Sequence, residues 1–376
     1  MIFFFVFYFF LIAYFLLFLI PAIRWYFEEE SQCTFRENDL FFSVIIPARN
    51  EESNITECID SILKANNEGV NFEIIVVDDH SEDSTYQVVS RLIGCSAISQ
   101  MKIIRLDSGV QGKKNAIRKG IELALGEVII TRDADTRSGE NWLRSIAEKF
   151  SSSKPDFLIC PVRASGDKSC LNLFQEMENF FLQIFTGGMA LLKRPVLCNG
   201  ANMAFKKATF MRVEGYEGNY HIASGDDIFL MEKFRSQRNY RIDYIKSINA
   251  EVTTRSSVSL RDFFYQKIRW AGKFSFRMNF FSTLAALVVF SLNFLLVLGF
   301  VMVLFTYQKA EILFLSFIVK SLVDFLLISF FSRGKIKCYF FPPFILFELI
   351  NLFYSPAVAM SSLFIKPVWK GRTISV

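Results

Sequence analysis

Histidine is scarce, two residues in 376, and the seven cysteines show neither a C-x-x-C pair nor any repeated spacing. Neither a zinc site nor a disulfide framework is expected, and the cysteines fit free thiols in a reducing compartment. No extended basic run occurs: the 42 basic and 37 acidic residues are interleaved and sum to a net charge of +5. That pattern is not the footprint of a nucleic-acid binder. The N-terminal apolar stretch has no basic residue before it and no small-residue cleavage site after it, so an anchor is expected in place of a removed signal peptide. The spacing G-x-x-x-x-G-K-[ST] is also missing, which sets aside P-loop chemistry.

What the chain does have is long apolar runs at both ends. Residues 1–23 and 280–307 carry no charge, 312–332 are mostly apolar, and 339–365 form a further block interrupted by Pro342, Pro343 and Pro356. One N-terminal and about three C-terminal membrane segments are expected, with the prolines making the last one broken or re-entrant. The short basic loop "SRGKIK" at 332–337 is placed in the cytoplasm by the positive-inside rule, which puts the middle domain there too and the N-terminus outside. The basic tail "KPVWKGR" conflicts with a complete last crossing. The expected organisation is a transmembrane helix at 1–24, a linker at 25–40, a catalytic domain at 41–278 that includes an interfacial helix at 260–278, membrane segments at 279–366 and a tail at 367–376.

Between the apolar ends, "FFSVIIP", "FEIIVV", "MKIIRL" and "EVIITR" alternate with helical stretches at Glu51 to about Asn66, from near Asp83, and at Lys113 to Leu125. Strand and helix in alternation predict an α/β fold with a mostly parallel central sheet. In such sheets sites form beyond the C-terminal strand ends. The strands lead into "ARNEE", "DDHSED", "DSGVQGKK" and "RDAD", so four polar clusters are expected at one edge.

Each cluster has a chemical reading and a plain one. Asp133 and Asp135 suit one hard cation such as Mg2+ or Mn2+, although an isolated D-x-D reads as readily as a polar turn. Asp78 and Asp79 can accept the imide N–H of a uracil, while Ser81 and Asp83 read as helix caps. Lys113 follows glycines at a helix start, where phosphate is favoured, or is one of a solvated lysine pair. Asp226 and Asp227 open a helix, as caps or with one of them as a general base. Gln266, Arg269 and Trp270 share one helical face; Arg269 suits phosphate oxygens, and Trp270 suits a sugar or the membrane interface. Lys320 and Asp324, four apart within a C-terminal span, are expected to pair on one helix face.

Taken in order, "VIIPARNEE", "VVDDHSEDST", "GKKNAI", "RDADT", "NGANMAF", "GDDIFL" and "QKIRW" resemble the inverting glycosyltransferases of family 2, over residues 42–270. The resemblance implies the GT-A nucleotide-diphospho-sugar transferase fold, here flanked by N- and C-terminal transmembrane helices. It implies that Pro47, Ala48, Glu51, Asp79, Lys113, Asp133 and Arg269 bind the donor, that Asp135 with Asp133 holds a divalent cation, and that Asp227 is the catalytic base. Asn199, Gly200, Asn202, Asp226, Gln266 and Trp270 would border the acceptor. The implied partners are a nucleotide-diphospho-sugar, a UDP-sugar first, and a lipid or saccharide acceptor at a membrane, the bacterial inner membrane being the expected one. Two positions depart from the family pattern: His80 stands where glycine or asparagine is usual, and Asp226 where glutamate often precedes the base. The alternatives are a subunit of a processive polysaccharide synthase and a non-catalytic, membrane-tethered sugar-nucleotide-binding protein. A sugar nucleotidyltransferase would need glycines that "VIIPARNEESNI" lacks.

Overall fold

The computed structural model describes residues 2–30, 40–95, 100–167, 169–220, 225–237, 239–272, 280–306, 310–331, 341–365, 368–369 and 372–373. The loop at 332–337 that set the expected orientation lies outside the described residues. The chain forms two compact units, one built from residues 1–28, 166–196 and 256–367, the other from 29–165, 197–255 and 368–376.

The chain opens with α1 (Ile2–Phe27), which belongs to the first unit. There follow β1 (Phe41–Ala48), α2 (Ile55–Leu63), β2 (Asn71–Asp78), α3 (Thr85–Cys95), β3 (Met101–Arg105), α4 (Lys113–Leu123), β4 (Val128–Arg132), β5 (Thr136–Ser138), α5 (Trp142–Ser153), β6 (Phe157–Ile159) and β7 (Val162–Ser165), all in the second unit. Helix α6 (Cys170–Leu191) returns to the first unit. The second then continues with β8 (Asn202–Lys206), α7 (Lys207–Arg212), α8 (Asp226–Ser236), β9 (Ile242–Tyr244) and β10 (Val252–Arg255). Helices α9 (Leu260–Ala271), α10 (Phe280–Thr306), α11 (Ala310–Phe331) and α12 (Phe341–Ser362) complete the first, and the short strands β11 (Val368–Trp369) and β12 (Arg372–Thr373) end the chain.

In the α/β unit the main sheet runs β3-β2-β1-β4-β8-β6-β9. The first four strands are parallel, as the alternation predicts, and β8 enters antiparallel between β4 and β6. Both faces of these strands are covered, which is why "SVIIP" and "EIIVV" read as continuous apolar runs without alternation. Helix α2 buries Ile55, Cys58, Ile59 and Ile62, one stripe at the spacing of a helical face. It starts at Ile55 and not at Glu51, because residues 52–54 form a turn in which the Glu51 carbonyl accepts from both the Asn54 and the Ile55 N–H (2.9 Å each). A smaller sheet runs β5-β10-β7, with β10 antiparallel to β5 and parallel to β7.

The helical unit is apolar along α1, α10 and α12, and these three are long and apolar enough to cross a membrane. Four crossings were expected. Helix α11, the remaining expected segment, forms and carries Glu311, Lys320 and Asp324. The expected Lys320–Asp324 pair is present at 2.8 Å. Pro356 is accommodated inside α12, and Pro21 inside α1. Helix α6 meets α1 at Pro21 so closely that a Cβ on Gly188 would collide with the Pro21 backbone carbonyl, which requires glycine there. Helices α6 and α9, both inside the 41–278 interval, pack against α12 through Phe174, Met177, Phe263, Phe344 and Phe347.

Candidate active site

The strand ends of the α/β unit assemble one polar edge. Ala48, at the end of β1, pairs with Asp78 at the end of β2, which pairs with Arg105 at the end of β3. Strand β8 runs the other way, so its first residue, Asn202, lies opposite the last of β4, Arg132. That reversal brings Asn199 and Gly200, some seventy residues on in sequence, to the same edge as Asp133. The Thr131 hydroxyl fixes them by donating to the Gly200 carbonyl (3.0 Å).

At the β1–β2 end, Pro47 lies opposite Val77, and Glu51 occupies the following turn, where its N–H donates to Thr85 Oγ1 (2.8 Å). The Asp79 N–H donates to the Ala48 carbonyl (2.8 Å), and its Oδ2 accepts from the Gly112 N–H (3.0 Å). Asp79 thereby ties the β2 end to the glycine loop before α4. Arg49 donates to the carbonyls of Asp79 and His80 (2.8 and 2.9 Å) and clamps the same turn. Asp78 is fully buried and held by Arg105 at 2.8 Å, so of the two aspartates it serves the framework. His80 has a φ of 54°, the left-handed conformation that explains why glycine or asparagine is usual in the family pattern. Its ring Nε2 lies 2.9 Å from the Val110 carbonyl.

The centre of the edge is charged. Lys113, first residue of α4, sits 2.7 Å from Asp133 Oδ1 and 3.0 Å from Asp226 Oδ2. Asp226 and Asp227 are buried in the first turn of α8, where the helix dipole favours carboxylates. Asp227 Oδ2 accepts from the Gly200 N–H (3.3 Å), and its Oδ1 from the Ile228 N–H (2.8 Å). Burial works against the charge of Lys113, but Asp133 and Asp226, with Asp227 behind them, outweigh it and hold its pKa above the ordinary lysine value. Burial also raises the nearby Tyr216 hydroxyl, and Asp226 and Asp227 raise it further.

Asp135 Oδ2 accepts from Thr254 Oγ1 in β10 (3.4 Å). Among the described residues no three His, Cys, Asp or Glu side chains converge as a metal cage. Asp133 and Asp135 therefore offer at most two carboxylates between them, a donor set that fits Mg2+ or Mn2+ when substrate phosphates and water complete the coordination.

Several supporting residues carried no local signal. Arg132 is fully buried over the Trp142 ring (4.7 Å) and donates to the hydroxyls of Thr136, Ser138 and Ser61, pinning the turn that carries both aspartates. Asn202, expected at the acceptor, is fully buried: it donates to the carbonyls of Pro161 and Ala250 (both 2.8 Å) and accepts from Trp142 Nε1 (3.1 Å). Its carboxamide is engaged by the framework, which leaves Asn199 and Gly200 as the residues of that motif at the edge. Gln266, Arg269 and Trp270 belong to α9 in the helical unit. There Lys267, ion-paired with Glu178, lies 4.2 Å from the Trp270 ring centroid, a contact that the helical spacing permits but does not specify.

Comparison with known proteins agrees with this architecture. The pattern of glycosyl transferase family 2 matches residues 43–212, and that of glycosyl transferase family group 2 matches residues 128–351. A dolichyl-phosphate beta-glucosyltransferase of Dictyostelium discoideum is 32% identical over 104 residues, 26% of this chain and 32% of that protein. A beta-monoglucosyldiacylglycerol synthase of Synechocystis is 26% identical over 160 residues, covering 40% of this chain and 33% of the other. The chain thus matches about a third of the length of these curated relatives. The solved mannosyltransferase PcManGT from Pyrobaculum calidifontis, in complex with GDP-Man and Mn2+, superposes with a TM-score of 0.58 at 16% identity, over 94% of this chain and 95% of that one. That likeness shows the fold.

Proposed function

The chain belongs to glycosyl transferase family 2, and from that premise we propose that it is an inverting, metal-dependent transferase moving a sugar from a nucleotide-diphospho-sugar to a lipid or lipid-linked saccharide. A UDP-sugar is the first donor to test. The observation that carries this reading is the convergence of Lys113, Asp133, Asp226 and Asp227 around Gly200, which sets one ammonium and three carboxylates side by side at a single sheet edge. The matched relatives named for dolichyl phosphate and for a diacylglycerol support a lipid acceptor, as do the three helices long and apolar enough to cross a membrane.

In this reading Asp79, with Pro47, Ala48 and Glu51, holds the nucleotide, and Lys113 faces the diphosphate. The acceptor hydroxyl attacks the anomeric carbon from the face opposite the diphosphate, so a new C–O bond forms as the bond to the phosphate oxygen breaks, with inversion. The bonding electrons leave with the nucleotide diphosphate, and the hydroxyl proton passes to Asp227. Two backbone N–H groups, of Gly200 and Ile228, already fix the orientation of that carboxylate. A divalent cation held by Asp135 and Asp133 would supply electrostatic stabilisation to the leaving diphosphate. The catalytic unit would face the cytoplasm at the bacterial inner membrane.

Membranes containing the protein, incubated with a panel of UDP- and GDP-sugars with and without Mn2+, should yield a glycosylated product in the lipid extract, and chelation should abolish it. The absence of transfer from every donor would defeat the proposal, and transfer that survives chelation would defeat its metal dependence.

A further inference from the structure

The helical unit contains a buried cluster of charges that glycosyl transfer does not use. Lys320 of α11 is 2.8 Å from Asp324 Oδ2 one turn on, and 2.6 Å from Glu348 Oε2 of α12. Tyr14 of α1 donates to Asp324 Oδ1 (2.8 Å), and Ser321 donates to Glu348 Oε2 (3.4 Å). Lys320, Asp324 and Glu348 are each no more than 2% exposed. Tyr14 stands near the middle of the candidate span Phe3–Phe27, and Glu348 lies within Phe344–Ser362.

The charge count does not close. One lysine faces two carboxylates, and among the described residues the only other titratable group recorded against them is the Tyr14 hydroxyl, already a donor to Asp324. No charged side chain of α10 joins among the described residues; the half-buried pair Lys267 and Glu178 joins α9 to α6 and is separate. An ionised cluster would leave a net negative charge in apolar surroundings, which is strongly disfavoured even after relaxation. The hydrogen bonding leaves a matching gap: buried Glu348 Oε1 has no donor among the described residues, while Asp324 Oδ2 and Glu348 Oε2 converge on the same Lys320 ammonium. Two carboxyl groups in that relation are satisfied when one of them carries a proton.

We propose that this cluster is a proton-binding site: Glu348 and Asp324 share one proton, so that with Lys320 the site is neutral and latches α1, α11 and α12 together. The inference rests on the helical unit alone and stands whether or not the proposed transferase reaction is correct.

The shared proton predicts a non-additive mutational pattern, read as melting temperature of the full chain in lipid nanodiscs at pH 6 and pH 9, with and without Na+. Either single neutralisation, Glu348→Gln or Asp324→Asn, leaves one carboxylate against Lys320 and should shift the pH 6 melting temperature by only a few degrees, on the scale of one lost hydrogen bond. The double variant Glu348→Gln/Asp324→Asn strands Lys320 and should lose on the order of 10 °C, or fail to accumulate folded. Adding Lys320→Met to that double variant removes the stranded charge and should recover most of the loss. Wild type should lose stability between pH 6 and pH 9 as the proton departs, and Glu348→Gln should not. The proposal is overturned if Glu348→Gln alone is as damaging as the double variant, since Glu348 would then be needed ionised. Wild-type stability that follows Na+ and ignores pH would also overturn it, because the bound ion would then be a metal cation.

Discussion

Gly200→Ala tests the centre of the candidate site with the smallest available change. A Cβ at this position would stand 2.5 Å from Asp226 Oδ2 and 3.0 Å from Lys113 Nζ. Reaching the 3.4 Å of ordinary contact with Asp226 requires a displacement of about 0.9 Å, and Lys113 transmits it to Asp133, 2.7 Å away. The atoms that must move are the ends of side chains, and Gly200 does not hold a positive φ, so the backbone tolerates alanine. The fold should therefore persist, with a melting temperature within about 5 °C of wild type. Catalytic groups misplaced by about 1 Å lose up to roughly a hundredfold in rate, so kcat/KM should fall about 10- to 100-fold, or about 1.4 to 2.7 kcal/mol of transition-state stabilisation. Gly139→Ala is the control, since its added Cβ would meet nothing within 4 Å, and it should match wild type. Wild-type kcat/KM in a folded Gly200→Ala protein would refute the assignment of the Lys113, Asp133 and Asp226 cluster to catalysis.

Asp227→Asn keeps the shape of the side chain and removes its basicity. Transfer should fall at least about a hundredfold while donor binding, followed by calorimetry, stays within a factor of a few; retained transfer would remove Asp227 as base. Asn202→Ala breaks the bonds to Trp142, Pro161 and Ala250 in a fully buried position and should destabilise the α/β unit by about 2 to 4 kcal/mol, measured by denaturant unfolding. Glu73 supplies a pH test. Burial opposes its ionisation, but Ser43, the Leu125 N–H and Lys102 outweigh burial and lower its pKa below the usual glutamate value. The stability it contributes is present above the unfolded pKa and disappears as pH falls through the lower folded value. The cost of Glu73→Gln should accordingly be full at pH 7 and fade below about pH 4, and a cost independent of pH would contradict the ionised pairing.

Much of the α/β unit was legible because its physics is local. Buried parallel strands must be continuous apolar runs, crossover helices must carry one apolar stripe, and the polar residues between them fall at strand ends; the order of β1 to α4 and the placement of Asp79, Lys113 and Asp133 follow from that alone. The apolar runs likewise determined where the long helices lie. Only the tertiary structure decided what depends on partners distant in sequence. The antiparallel entry of β8 brings Gly200 to Asp133 and separates Asn202, which the framework consumes, from its motif neighbours Asn199 and Gly200. Thr254 reaches Asp135 across 119 positions, and Arg132 is fixed beneath the aspartates by hydroxyls from α2 and β5. The pair Lys320 and Asp324 was readable because four residues make one helical turn. Glu348 and Tyr14 were not, because a buried charge takes its partners from whichever helices pack against it, and no spacing along the chain records that choice.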